Sequence, residues 1–196
     1  MRRALIRAGL SAVLLIPLAL AAASPLLAYR EPVYILAGFA GIIAMGMLLV
    51  QPVLAAGLLP GVSILQGRRI HRWTGIALLG AVLLHVGGLW ITSPPDVIDV
   101  LLLRSPTPFS IWGLLAMWAL LATALLAALR LRLRPRRWRL AHGALGAIIV
   151  AGSIAHALLI EGTMEPISKA LLCAAAAVAT VMALSRLKLR PKRSGT

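Results

Sequence analysis

Two stretches decide the fold of this chain: RRIHRWTGIALLGAVLLH at residues 68–85 and WRLAHGALGAIIVAGSIAH at residues 138–156. Each has arginine at or next to its start, continues into an apolar run, and follows the spacing R-x2-H-x3-G-x9-H. The matched residues are Arg68, His71, Gly75 and His85 in the first stretch and Arg139, His142, Gly146 and His156 in the second. In an α-helix this spacing returns the second histidine to within about 40° of the first, roughly 21 Å further along the axis. Each stretch therefore predicts a long apolar helix with two histidines on one face.

The composition around these stretches is that of a membrane protein. Hydrophobic residues make up 61% of the 196 residues, charged residues 13%, and the mean hydropathy is +0.96. Soluble domains average about 45–50% apolar and 25% charged residues, so a soluble globular domain and a disordered chain are both excluded. Spanning the bilayer takes roughly 20 apolar residues of helix. Six segments qualify: 8–28, 33–59, 73–91, 109–129, 140–160 and 167–187. We expect an all-α integral membrane bundle of six transmembrane helices.

The distribution of charge predicts the orientation. All but three of the 20 Lys and Arg residues fall at the N-terminus, in the second and fourth connections and in the tail. The three exceptions, Arg30, Arg104 and Lys169, lie on the other side with all five Asp and Glu residues. Short loops rich in Lys and Arg stay cytoplasmic, so we expect both termini in the cytoplasm and a multi-pass protein of the cytoplasmic (inner) membrane. Because topology explains the net charge of +15, we expect the lipid bilayer and no nucleic acid as a partner.

We expect residues 1–196 to form a single domain that ends in a basic cytoplasmic tail at residues 188–196. The first segment, 8–28, has the basic start and small residues of a cleavable signal peptide. Its apolar stretch exceeds the roughly 7–15 residues usual for such a peptide, so we expect a retained first helix. Cleavage is the alternative, and it would leave the topology of the other five helices unchanged.

The two histidine pairs predict a haem site. Both helices start on the same side, so His71 faces His142 at one depth and His85 faces His156 at another. Two neutral imidazoles facing across a gap suit the axial positions of a b-type haem iron, with the porphyrin between the helices. A histidine-lined metal or proton transporter is the alternative from a different class. Proton and metal paths usually add carboxylates, which the predicted spans lack, and zinc needs three or four ligands where each depth offers two.

Glycines and arginines near the histidines extend the predicted site. Gly75 and Gly146 lie one turn beyond His71 and His142, where a porphyrin needs walls with little side chain. Close helix packing is the alternative for both glycines. Arg68 and Arg139 suit bidentate pairing with haem propionates, and anchoring to anionic headgroups is their alternative role.

On these residues the chain resembles the ferric reductase-like transmembrane domain. This family includes the membrane haem domains of ferric reductases and NADPH oxidases and the haem-membrane subunit of periplasmic methionine sulfoxide reductase. The resemblance rests on the two quoted stretches and covers roughly the second helix to the sixth. It implies two stacked haems with four axial ligands to the iron: His71, His85, His142 and His156.

The resemblance also implies electron transfer that depends on a separate electron donor. Eukaryotic members continue into a cytosolic FAD- and NADPH-binding module, whereas this sequence has no Gly-rich nucleotide fingerprint after a strand. We therefore expect a separate flavoprotein, a bound flavin or a quinol as the electron donor. Electrons would pass across the membrane to an external acceptor such as ferric iron or a periplasmic reductase. The chain would be the electron-transfer component of an oxidoreductase, and a quinol-linked cytochrome b anchor subunit is the alternative.

Overall fold

The computed structural model describes residues 1–188, and over this range the chain is entirely helical apart from its connections. The α-helices are α1 (Arg2–Ala22), α2 (Pro32–Ala55), α3 (Ile64–Thr92), α4 (Pro94–Leu101), α5 (Pro108–Ala128), α6 (Pro135–Leu159) and α7 (Pro166–Lys188). All except α4 are long and apolar enough to cross a membrane, which confirms the predicted bundle of six spanning helices. Of the predicted tail at 188–196, everything after residue 188 lies outside the described residues.

Local sequence signals fix where the helices begin. Helix α3 begins at Ile64, before the histidine stretch predicted from residue 68 and the apolar span predicted from residue 73, because Ser63 and Gln66 form a capping box in which each side chain bonds to the other's backbone N–H. Five other helices begin with proline, which suits the first turn because it has no N–H to leave unsatisfied. At the start of α7, Glu165 accepts hydrogen bonds from the backbone N–H groups of Ser168 and Ile167, which lower the pKa of its carboxyl group.

The bundle consists of two antiparallel hairpins joined by a central helix, with α1 packed against α7 and α2. Helix α3 packs along α2, and α6 packs along α5. Helix α7 contacts both hairpins, and its Leu172 and Ala176 are 1% and 0% exposed. Alanines also lie in the core where the other helices approach, which allows close backbone contact of the kind common in membrane bundles. Helices α3 and α6, which carry the histidines, therefore belong to different hairpins.

The outer surface of the bundle is strongly apolar. Large hydrophobic side chains stay exposed along the spanning helices, among them Leu84, Ile91, Leu125 and Leu171. A soluble protein rarely exposes apolar surface on this scale, whereas lipid tails match it. The chain is therefore a multi-pass membrane protein.

One end of the bundle gathers the arginines. Arg7 of α1 donates hydrogen bonds to the carbonyl oxygen of Pro60 at 2.8 and 3.2 Å, and Arg186 of α7 donates to that of Ala56 at 3.1 Å. Both carbonyls belong to the connection between α2 and α3, which also holds Gly61 at φ +79°. We call this the arginine-rich end: it comprises the starts of α1, α3 and α6, the end of α7, the α2–α3 connection and the α5–α6 connection.

Candidate functional site

The four histidines form two pairs between α3 and α6. The ring centroids of His71 and His142 are 6.1 Å apart, with the ring planes at 71°. Those of His85 and His156 are 6.4 Å apart, with the planes at 82°. All four side chains are half-buried. The His71/His142 pair lies nearer the arginine-rich end and the His85/His156 pair further from it, as the parallel course of the two helices requires.

The separation within each pair leaves room for one metal atom between two imidazoles. Helices α3 and α6 are not packed tightly against each other, since each packs mainly on its own hairpin partner. Two metal–nitrogen bonds of about 2 Å, each extended by about 1 Å to the ring centre, place the centroids roughly 6 Å apart. The measured 6.1 and 6.4 Å agree with that value. The residues present therefore fit a group whose metal takes one imidazole from each side.

Helix α2 holds His85 in a defined orientation. Nδ1 of His85 donates a hydrogen bond to the carbonyl oxygen of Ala37 at 2.8 Å. One turn further along α2, a Cβ atom added to Gly41 would lie 2.9 Å from the same Nδ1. The imidazole ring thus rests directly on the backbone of α2, which only glycine allows at position 41.

Helix α5 holds His156 in the same manner. Nδ1 of His156 donates to the carbonyl oxygen of Phe109 at 3.0 Å, and a Cβ atom on Gly113 would lie 2.7 Å from that Nδ1. Because a carbonyl oxygen only accepts, the proton of each of these neutral imidazoles sits on Nδ1. The lone pair of Nε2 is then free to bind a metal.

The His71 side chain is oriented by Gln51. Its Nδ1 donates to the carbonyl oxygen of Gln51 at 3.2 Å. The Gln51 amide in turn donates to the carbonyl oxygen of His71 at 3.3 Å and to the hydroxyl of Thr74 at 3.2 Å. A Cβ atom on Gly75 would come within 3.3 Å of this amide nitrogen. Gly75 therefore makes room for Gln51.

His142 is held differently from the other three histidines. Its ring stacks on Trp138, with centroids 5.0 Å apart and planes at 14°. Its Nδ1 is buried without a hydrogen-bond partner among residues 1–188, as is Nε1 of Trp138. The guanidinium of Arg130 lies 5.9 Å from the centre of the Trp138 ring. Aromatic stacking here takes the place of an Nδ1 hydrogen bond.

The other predicted site residues lie at the edges of this arrangement. Arg68 and Arg139 are exposed, one turn before His71 and His142. Gly146 faces open space, with no atom within 4 Å of an added Cβ. Four residues that contact the histidines were not predicted from the sequence: Gly41, Gly113, Gln51 and Trp138.

The described part of the chain offers no conventional metal centre. No group of three or more His, Cys, Asp or Glu side chains comes together within residues 1–188. Zinc centres use three or four protein ligands, so two isolated pairs of imidazoles match a haem iron better.

Comparison with known proteins gives one match. Residues 37–153 match the family model of the ferric reductase-like transmembrane component, a range that includes three of the four histidines and ends just before His156. No curated protein and no solved structure matches the chain. Since the matched range covers more than half of the sequence, the chain belongs to the ferric reductase-like transmembrane component family.

Proposed function

We propose that this chain is a di-haem b electron-transfer protein, which carries electrons across the cytoplasmic membrane to an external acceptor. Family membership supports transmembrane electron transfer and haem binding in general. The observation that carries the specific proposal is the pair of facing imidazoles at two depths, with centroids 6.1 and 6.4 Å apart. His71 and His142 would hold the iron of one haem, and His85 and His156 that of the other.

The chain's own groups perform binding and orientation. A bound haem supplies one-electron chemistry that no protein side chain here offers. Three backbone carbonyls, of Ala37, Gln51 and Phe109, hold the protons of His85, His71 and His156 on Nδ1. Each of these ligands thus presents Nε2 in a fixed direction, as second partners of metal-bound histidines usually ensure.

The two sites lie at different depths of the bundle. Fourteen residues of helix separate the two histidines of each helix by about 21 Å along its axis. The distance that an electron would travel across the membrane is therefore divided into shorter transfers. We place the arginine-rich end in the cytoplasm, with both termini, because basic loops stay there. The first helix is retained in this proposal, since its Pro17 and Ala21 are buried in the bundle.

Further groups complete the proposed haem sites. Arg68 and Arg139 are exposed one turn from the histidines at the arginine-rich end, where they would pair with haem propionates. Gly146 faces open space and gives a flat wall, whereas Gly75, at the matching position on α3, faces Gln51 of α2.

The partners in this proposal follow from family membership and charge. The electron donor is a separate flavoprotein, a bound flavin or a quinol at the arginine-rich end. The acceptor on the opposite side is ferric iron or a periplasmic reductase. Residues 1–196 form one haem-binding domain, and the chain is the membrane component of an oxidoreductase.

A haem count tests the proposal. Protein purified from haem-replete cells should approach two haems per chain in a pyridine haemochrome assay. His85→Ala should lose about one of them. Leu84→Ala is the matched control, because Leu84 adjoins His85 in sequence but is 70% exposed, so it should keep both. A haem-free wild-type preparation would overturn the proposal.

A further inference from the structure

The two histidine pairs differ in the hydrogen bonds of their outward-facing nitrogens. In the His85/His156 pair, both Nδ1 atoms donate to backbone carbonyls, at 2.8 and 3.0 Å. In the His71/His142 pair, only His71 does so, at the longer distance of 3.2 Å. Within the described residues, Nδ1 of His142 has no acceptor. The two sites are thus chemically unequal although their ring separations are nearly the same.

This inequality affects how strongly each pair donates electrons to a metal. A hydrogen bond from Nδ1–H to an acceptor makes the opposite nitrogen more basic. A more basic axial ligand stabilises ferric iron relative to ferrous iron, and so lowers the reduction potential, one of the main means by which proteins tune haem. The pair with two short hydrogen bonds should therefore have the lower potential.

We infer that the His71/His142 pair holds the haem of higher potential and the His85/His156 pair the haem of lower potential. This inference rests on the proposed di-haem function. Trp138 is the positioning residue that sustains the difference, because its stacked ring holds the His142 imidazole in a place where Nδ1 finds no acceptor. The chain thereby presents its more reducing site at the end away from the arginines.

Charge acts in the same direction as the ligands. Arg68, Arg72 and Arg139 lie within three residues of His71 or His142 in sequence, and positive charge favours the reduced haem. All three side chains are exposed, so salt screens their effect. The hydrogen-bond contribution lies inside the bundle and should persist at high salt.

A redox titration of the purified holoprotein tests the inference, followed by absorbance and by electron paramagnetic resonance. At one ambient potential we expect at least a tenfold difference between the reduced-to-oxidised ratios of the two haems, equal to about 59 mV for one electron. His156→Ala should retain the haem of higher potential, and His142→Ala should retain the haem of lower potential. The difference should persist in high salt.

Glycine variants test the cause without removing a ligand. Gly113→Ala places a Cβ atom 2.7 Å from Nδ1 of His156, which pushes the ring away from the Phe109 carbonyl. Only the midpoint potential of the His85/His156 haem, the lower of the two, should rise. Gly80→Ala on α3 is the control, since an added Cβ at Gly80 meets no atom within 4 Å, and it should leave both midpoint potentials in place.

Substitution of Trp138 tests the positioning role. Trp138→Leu removes the stacked ring and gives water access to Nδ1 of His142. The midpoint potential of the His71/His142 haem should therefore fall, and its electron paramagnetic resonance signal should change. Trp138→Phe keeps a stacked ring and should preserve both readouts.

The results separate this inference from the proposed function. Two haems per chain with coincident midpoints, or with the upper midpoint retained by His142→Ala, would overturn the inference and leave the function intact. If the histidine variants lose both haems, the glycine variant decides. An unchanged midpoint potential of the His85/His156 haem in Gly113→Ala would then overturn the inference. A haem-free wild-type chain would end both.

Discussion

Replacing Gly41 by alanine should weaken the His85/His156 site selectively. The added Cβ would lie 2.9 Å from Nδ1 and 3.1 Å from Cε1 of His85. Because these are ring atoms resting against helix backbone, the imidazole must shift and its 2.8 Å hydrogen bond to Ala37 is lost. Overpacking costs about 1–3 kcal/mol, and the lost hydrogen bond costs about 0.5–1.5 kcal/mol.

The control for this variant lies one turn away on the same helix. Gly38→Ala also gains about 1 kcal/mol of helix propensity, but its Cβ meets no atom within 4 Å. Because both variants gain this propensity, the expected difference between their stabilities is about 1.5–4.5 kcal/mol. Loss of such an outer partner typically weakens metal binding by about 10–100-fold.

Haem transfer to apomyoglobin measures this effect. Release of one haem per chain should be about 10–100-fold faster from Gly41→Ala than from Gly38→Ala, while the second haem leaves both variants at the wild-type rate. Equal release from the two variants would show that the contact between Gly41 and the ring does not support His85. Faster release of the His71/His142 haem alone would show that the contact at Gly41 does not support the His85/His156 site.

Three further predictions follow from the bundle. His71→Ala or His142→Ala should lose mainly the haem nearer the arginine-rich end, seen as loss of the upper component in a redox titration; identical spectra for all four histidine variants would contradict the pairing. Single cysteines placed at Asp96 or Glu165 should react with an impermeant maleimide from outside intact spheroplasts, whereas a cysteine at Arg134 should not, and the reverse labelling would invert the topology. Gly61→Ala should lower the stability in detergent by about 1–2 kcal/mol or more, since φ is +79° there and the Cβ would lie 2.5 Å from Nη2 of Arg7; Gly162→Ala, with no neighbour within 4 Å, is the control in the thermal unfolding assay.

The sequence contained enough information for the helices and for the proximity of the histidines. Apolar length predicts the six spans, and matched spacing on two parallel helices predicts that His71 lies near His142 and His85 near His156. The apolar span predicted from residue 73 begins later than helix α3 itself, because Arg68 and its neighbours are not apolar. The capping box at Ser63 and Gln66, which begins the helix, is a local signal that hydropathy does not detect.

The contacts that orient the histidines could not be predicted in the same way. Gly41 matters because of a ring carried by a different helix, and its role depends on the rotation of α2 against α3. Trp138 has the sequence position of an ordinary interfacial tryptophan, and only the packing reveals that it stacks on His142. Residues defined by contacts between helices need a structure, whereas residues defined by spacing within a helix do not.

The α2–α3 and α5–α6 hairpins have corresponding residues and contacts at the His85/His156 pair but not at the His71/His142 pair. Around the His85/His156 pair, Ala37 and Gly41 on α2 match Phe109 and Gly113 on α5 in both spacing and contact.

Around the His71/His142 pair the match fails in two places. Counting along the helices from the matched residues, Gln51 corresponds to Thr123, whose hydroxyl bonds within its own helix to Ala119 rather than orienting a histidine. Gly67, whose Cβ would lie 3.2 Å from the Leu54 carbonyl, corresponds to Trp138, which stacks on His142. If the sites served only as equivalent stepping stones, nothing would favour such differences at one depth alone. Their restriction to the arginine-rich end agrees with the unequal potentials that we infer for the two sites.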